Sequence, residues 1–214
     1  MSYIAPTITV NNVDDYKLTI ERLSPFTKRA HIDISDGDFA PIFLLEESNI
    51  WWPEDWTVDM HAMVAKPSEH VQALIDLHPN LIIFHAEVEE DLLPILRQIQ
   101  QAGIKAGVAL LRPTVPSTVK SLILASDHVM IFSGNLGYQG GVASLMQVEK
   151  VRLIKAINSG AEIGWDGGVT VENAFNLAQG GVDVLNVGST IAKSSDPLNT
   201  YNNLLSEINK HGVI

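Results

Sequence analysis

The sequence predicts an α/β fold: one domain over residues 1–214, built as a closed (β/α)8 barrel of the TIM type. Three observations predict it. Short apolar runs alternate with longer amphipathic segments from end to end. Eight such runs can be counted, which fits a closed barrel better than an open sheet. Polar side chains and glycines gather at or just beyond the C-terminal ends of those runs, where a parallel barrel keeps its functional groups. A chain of 214 residues with 46% apolar composition is long enough to bury a large core.

The expected strands are Ile4–Thr9, Arg29–Ile34, Thr57–Met63, Leu81–His85, Lys105–Leu110, His128–Phe132, Glu162–Asp166 and Val184–Val187. The expected helices are Asp14–Leu23, Ser68–Leu77, Leu92–Ala102, Pro116–Leu124, Ser144–Asn158, Val171–Gln179 and Leu198–Lys210. Ser68, Glu69 and His70 behind Pro67 form a helix start, and Gly103 and Gly180 are helix stops. Only the connection after the second strand breaks the pattern. Phe43–Asn49 is a short helical stretch, and Trp51-Trp52-Pro53-Glu54-Asp55-Trp56 reads as an irregular packed loop. No linker, low-complexity tract or internal repeat divides the chain.

A net charge of −11 argues against a nucleic-acid partner, because phosphate backbones select basic surfaces. A small anionic substrate remains open, since backbone amides and a metal can hold it locally. The absence of cysteine excludes disulfides, thiolate ligands and a Cys nucleophile. The start Met1-Ser2-Tyr3-Ile4 lacks a signal-peptide pattern, and no apolar run is long enough to cross a bilayer. The expectation is a cytoplasmic enzyme or binding protein with no membrane partner.

The chemistry concentrates in His31-Ile32-Asp33, Asp59-Met60-His61 and Asp166. Strand side chains alternate with a period of two, so His31 and Asp33 share a face, as do Asp59, His61 and Met63. Single histidines inside a barrel are usually buried polar residues satisfied by hydrogen bonds. Two of them with Asp33 and Asp166, all at strand ends, favour a four-coordinate divalent metal site. Asp59, one pleat deeper, reads as a group that orients His61. Glycine-rich segments follow the sixth strand (Gly134 to Gly141), the seventh (Gly167, Gly168) and the eighth (Gly188, Ser189). Three consecutive strand ends of this kind favour phosphate held on backbone amides rather than ordinary tight turns.

Asp33 and Asp166 can then flank a substrate carbon. A carbon acid beside a carbonyl is too weak for an unaided carboxylate to deprotonate, and a metal on the carbonyl oxygen and its neighbouring hydroxyl would stabilise the enediolate. One Asp removes the proton and the other returns one to the opposite face, a 1,1-proton transfer that needs no organic cofactor.

These residues give the sequence its resemblance to the ribulose-phosphate 3-epimerase family of metal-dependent barrels. It runs from Ala5-Pro6-Thr7-Ile8 to Val187-Gly188-Ser189. It is most specific at His31 to Pro41, Asp59 to Val64, His85-Ala86-Glu87, Lys105 to Val108 and Asp166 to Val169. The resemblance implies epimerisation at C3 of ribulose 5-phosphate and xylulose 5-phosphate. It implies His31, Asp33, His61 and Asp166 as ligands of zinc (or iron, manganese or cobalt), with Asp33 and Asp166 as the acid–base pair. The implied substrate contacts are Thr7, His61, Met63, Gly137, Gln139, Gly140, Gly141, Gly167, Gly168, Gly188 and Ser189. A homo-oligomer is implied as well.

The sequence departs from the family pattern around the substrate: Ser35 and Phe132 replace two methionines, and Gln139 replaces a loop glycine. Alternatives are an allulose 6-phosphate or other hexulose-phosphate epimerase, or a non-catalytic phosphosugar-binding barrel. Decarboxylases and hexulose-phosphate synthases of related barrels carry Asp-x-Lys-x-x-Asp on the third strand. Here His61 stands in place of that lysine and no aspartate closes the motif, which disfavours both. Trp51, Trp52 and Trp56 read as a hydrophobic plug or oligomer contact, His70, His78 and His211 as solvated, and His128 as structural. His85 and Glu87 orient either metal ligands or substrate hydroxyls.

Overall fold

The computed structural model describes residues 2–210, so the expectation for His211 lies outside the described residues. Strands β1 (Tyr3–Ile8), β2 (Arg29–Ser35), β3 (Thr57–Met63), β4 (Leu81–His85), β5 (Lys105–Leu110), β6 (His128–Phe132), β7 (Glu162–Asp166) and β8 (Val184–Val187) pair in chain order. Every pairing is parallel, and β8 returns to β1 to close the barrel. β1 stops one residue short of Thr9 and β2 runs one further, to Ser35. The other strands keep their expected bounds.

Among the described residues, eight helices cover the outside: α1 (Val13–Leu23), α2 (Pro67–Asp76), α3 (Leu92–Gln101), α4 (Lys120–Ala125), α5 (Glu149–Ile157), α6 (Val171–Gln179), α7 (Ser189–Ala192) and α8 (Pro197–Ile208). The expected helices Pro116–Leu124 and Ser144–Asn158 each begin instead as a 3-10 turn, at Pro116–Val119 and Leu145–Val148. The connection after β2 contains no α-helix, only a 3-10 turn at Glu47–Asn49. Leu44 and Leu45 are both buried while Phe43 is exposed, so the apolar residues there do not hold one helical face. The tryptophan loop seals that gap from outside. Trp56 is buried, Trp52 packs on the outer core, and the Tyr16 hydroxyl donates to the Trp51 carbonyl at 2.6 Å.

The strands' outer faces are apolar, and inside the barrel apolar side chains come mainly from β4, β5 and β6 while β2 and β3 turn polar residues inward. Outward residues such as Ile32, Phe84, Val108, Trp165 and Leu185 pack under the helices. Inward residues Leu81, Ile83, Ala109, Met130 and Phe132 fill the barrel. α3 adds Leu92, Ile95, Leu96 and Ile99 from one stripe, each contributing about 1.5–3 kcal/mol by leaving water.

The floor of the barrel, at the strands' N-terminal ends, is ionic. Arg29 donates through Nε to Asp59 at 2.7 Å and through its two terminal nitrogens to Glu162 at 2.9 and 2.7 Å. Asn80 donates to the other Asp59 oxygen at 2.8 Å, and His128 Nδ1 lies 2.8 Å from Glu162. This corrects the reading of Asp59. It faces inward like His61 but one layer lower, and its carboxylate is spent on Arg29 and Asn80.

Candidate active site at the strand C-termini

β2 and β3 build most of the site. Their register sets Asp33 beside His61 and Ser35 beside Met63, and the two-residue period aims His31 inward with Asp33. Asp166 arrives from the end of β7. One donor atom from each of His31, Asp33, His61 and Asp166 lies within 4.8 Å of all the others. His61 Nδ1 is 2.9 Å from Asp33 Oδ1, and His31 Nε2 approaches the same oxygen at 3.2 Å. The second oxygen of Asp33 accepts from the Thr9 hydroxyl at 2.6 Å.

The electrostatics of this cluster are uneven. Burial would raise the Asp33 carboxyl, but His31 and His61 outweigh it and hold it far below the usual carboxylate range. Asp166 is pushed up, first by burial and then by the Asp33 charge. His31 is raised because the neighbouring carboxylates outweigh its complete burial. Two carboxyl groups pushed in opposite directions are suited to opposite roles in proton transfer.

A divalent cation fits the residues present. Nδ1 of the fully buried His31 has no hydrogen-bond partner, and its Nε2 has only the 3.2 Å approach to Asp33 Oδ1, an arrangement that costs free energy unless a ligand completes it. The contacts behind His61 point the same way. Its Nε2 lies 2.9 Å from His85 Nε2, and His85 Nδ1 lies 3.4 Å from Glu87. Burial pushes His85 down to about 4, so it is neutral and carries one N–H. With that N–H toward Glu87, His85 can accept from His61 Nε2–H, the arrangement that would free His61 Nδ1 for a cation; without one, Nδ1 faces Asp33 Oδ1 at 2.9 Å. Glu87 is itself fixed by Leu111 N–H and the Thr114 hydroxyl.

Above the cluster opens a cavity lined by Thr7, Thr9, Asp33, Met63, Phe132, Asp166 and Asn186, with Gly137, Gln139, Gly140, Gly167, Gly168, Gly188 and Ser189 at its rim. Of the residues expected to touch substrate, Gly141 lies outside this lining, and His61 lies beneath it. Among the described residues the lining contains no lysine or arginine. Gly167 and Gly168 have φ of +105° and +71°, and an added Cβ would stand 2.0 Å from Gly134 N and 2.2 Å from Ala143 N. Glycine is therefore required where the loop after β6 folds onto the loop after β7. Gln139 reaches across the rim to the Thr7 carbonyl at 3.3 Å.

Phe132 and Phe39 pack on the histidine pair from above, with Phe39–His85 and His85–Phe132 ring centroids 4.8 and 5.4 Å apart. His70 is not solvated: its Nδ1 lies 2.6 Å from Glu47, which a helical position alone does not reveal. His78 is exposed. Sequence reasoning missed Thr9 and Asn186. The signals were Thr7-x-Thr9, two hydroxyls at strand spacing, and one amide inside the apolar run Val184-Leu185-Asn186-Val187.

Comparison with known proteins agrees with this geometry. The chain is 32% identical over 173 residues to the ribulose-phosphate 3-epimerase of Helicobacter pylori strain J99, covering 78% of this chain and 80% of that one. It is 31% identical over 193 residues to the Chlamydia muridarum enzyme of the same name, covering 86% and 84%. The structure superposes on 3-hexulose-6-phosphate synthase from Salmonella typhimurium with a TM-score of 0.72 over 99% of this chain and 100% of that one. At 16% identity that likeness speaks for the barrel alone. The profile of the ribulose-phosphate 3 epimerase family matches residues 3–192. The chain belongs to the ribulose-phosphate 3-epimerase family, whose members are isomerases acting on phosphosugars.

Proposed function

We propose that the protein interconverts ribulose 5-phosphate and xylulose 5-phosphate by inverting C3, as a metal-dependent cytoplasmic enzyme. The observation that carries this reading is the convergence of His31, Asp33, His61 and Asp166 beneath a cavity that both carboxylates line. A divalent cation bound there, zinc in the first instance, would supply Lewis-acid stabilisation for negative charge on the substrate's oxygens.

The remaining work belongs to the side chains. Asp33 and Asp166 stand on β2 and β7 and face the same cavity. Deprotonated Asp33 takes the C3 proton, the C3–H pair becomes a C2–C3 double bond as the carbonyl π pair moves to its oxygen, and, as that pair re-forms the carbonyl, C3 takes a proton from protonated Asp166 on the opposite face. In the reverse direction the two exchange roles. Thr9 holds one Asp33 oxygen, so the other faces the cluster. Phe132 and Met63 cover the reacting carbon and limit water. The phosphate rests on backbone N–H groups at Gly140, Gly167, Gly168, Gly188 and Ser189, which line the rim of the cavity.

The test is an NMR assay in D2O over a panel of ketose pentose and hexose phosphates, with zinc, manganese, iron and cobalt each supplied. The expected result is deuterium entry at C3 and interconversion of the pentulose pair. Faster turnover of a hexulose 6-phosphate would move the assignment to that substrate. A metal-free protein that binds sugar phosphates without exchange would overturn the epimerase reading.

A further inference from the structure

We infer that Asn186 is a substrate-reading residue, with its amide paired to the hydroxyl on the carbon between the epimerised centre and the phosphate. This rests on the proposed function and deepens it. Asn186 lies on β8, is 2% exposed, and lines the cavity. Its Oδ1 has no hydrogen-bond partner, and its Nδ2 has only the Met130 sulfur at 3.3 Å, a weak acceptor. Thr7 Oγ1, in the same lining, is buried and equally unpartnered. A buried amide with neither end well satisfied destabilises the fold relative to an apolar residue of the same shape. The surrounding strand is otherwise apolar, so packing gives no reason for an amide there.

Position identifies the ligand atom. Asn186 pairs in register with Asp166, so both side chains enter the barrel from neighbouring strands at the same level. Two residues further on, just beyond the end of β8, is Gly188, at the rim where the phosphate is placed. A substrate with its reacting carbon between Asp33 and Asp166 and its phosphate on the glycine rim spans Asn186 with the carbon between them. In a ketopentose 5-phosphate that carbon is C4. Its hydroxyl donates to Asn186 Oδ1 and accepts from Thr7 Oγ1, which satisfies both orphaned groups at once. The site thereby selects ketose phosphates that carry a hydroxyl at that carbon.

The test compares wild type, Asn186→Leu and Asn186→Ser on ribulose 5-phosphate and its 4-deoxy analogue, with thermal midpoints of all three proteins. Asn186→Leu is expected to lose roughly 10- to 100-fold in kcat/KM on the parent sugar and little on the 4-deoxy analogue. Its thermal midpoint is expected to equal or exceed that of wild type, because an unsatisfied amide has been removed. Asn186→Ser, which keeps a hydroxyl, should fall between the two on the parent sugar. Equal losses on both sugars with a lowered midpoint would make Asn186 a structural residue and overturn the inference, as would an unchanged kcat/KM on the parent. A wild-type protein inactive on every ketose phosphate would instead sink the epimerase reading, and this inference with it.

Discussion

At the floor of the barrel, Arg29 lies between Asp59 and Glu162, Asn80 completes Asp59, and His128 completes Glu162. At the mouth, Asp33 and Asp166 share one cavity whose lining among the described residues has no lysine or arginine, and His31 Nδ1, Thr7 Oγ1 and Asn186 Oδ1 have no partner. Both ends use carboxylates and histidines buried in the same core. The floor pairs its charges internally, apart from His128 Nε2, and serves stability. The mouth leaves its donors and acceptors unspent, which is tolerable only where a ligand completes them.

Substitutions at the two ends should separate these roles. The largest expected effect is at the mouth. Asp33→Asn and Asp166→Asn should each lower kcat by roughly 10³-fold or more and abolish deuterium entry at C3. Exchange surviving in both variants would break the assignment of the acid–base pair. Stripping metal with a chelator should likewise remove activity and lower the thermal midpoint, since a cation at 100 times its Kd adds about 2.7 kcal/mol. An unchanged midpoint and undiminished turnover would show that the four donors hold no ion.

The floor should respond in stability alone. Arg29→Met strands two carboxylates and should cost about 3–5 kcal/mol in chemical denaturation. The folded fraction should keep its kcat, and a large fall in kcat would show that the two ends are not independent.

A smaller effect concerns pH. Burial alone would raise Glu162, but Arg29 and His128 outweigh it and hold it well below its ordinary 4.5. A carboxyl depressed in the folded state binds fewer protons than in the unfolded chain, so its stabilisation is present above pH 4.5 and is lost as pH falls below it. Glu162→Gln should therefore flatten the decline of the thermal midpoint between pH 5 and 3. A parallel decline in both proteins would remove Glu162 from the explanation.

Much of this site is legible locally. The two-residue strand period places His31 with Asp33 and His61 with Met63 whatever the rest of the chain does. The strand–helix alternation likewise requires a parallel sheet. Asp59 shows where that reading stops. The same period places it one pleat below His61, yet its carboxylate meets Arg29 on the neighbouring strand rather than His61, and only the β2–β3 register reveals that partner. The connection after β2 is equally opaque, because its tryptophans pack on the outer core and on Tyr16 of α1 rather than following a local period.

The sequence by itself determined the number of strands, the strand-spaced pairs His31 with Asp33 and His61 with Met63, and the glycine runs after the last three strands, because each depends on neighbours a few residues apart. Tertiary structure alone decided that Arg29 meets Glu162 across 133 positions, that His85 and Glu87 stand behind His61, and that Asn186 enters beside Asp166. Those outcomes depend on barrel closure and on inter-strand register, which join segments far apart in the chain and leave no periodic trace within any one of them.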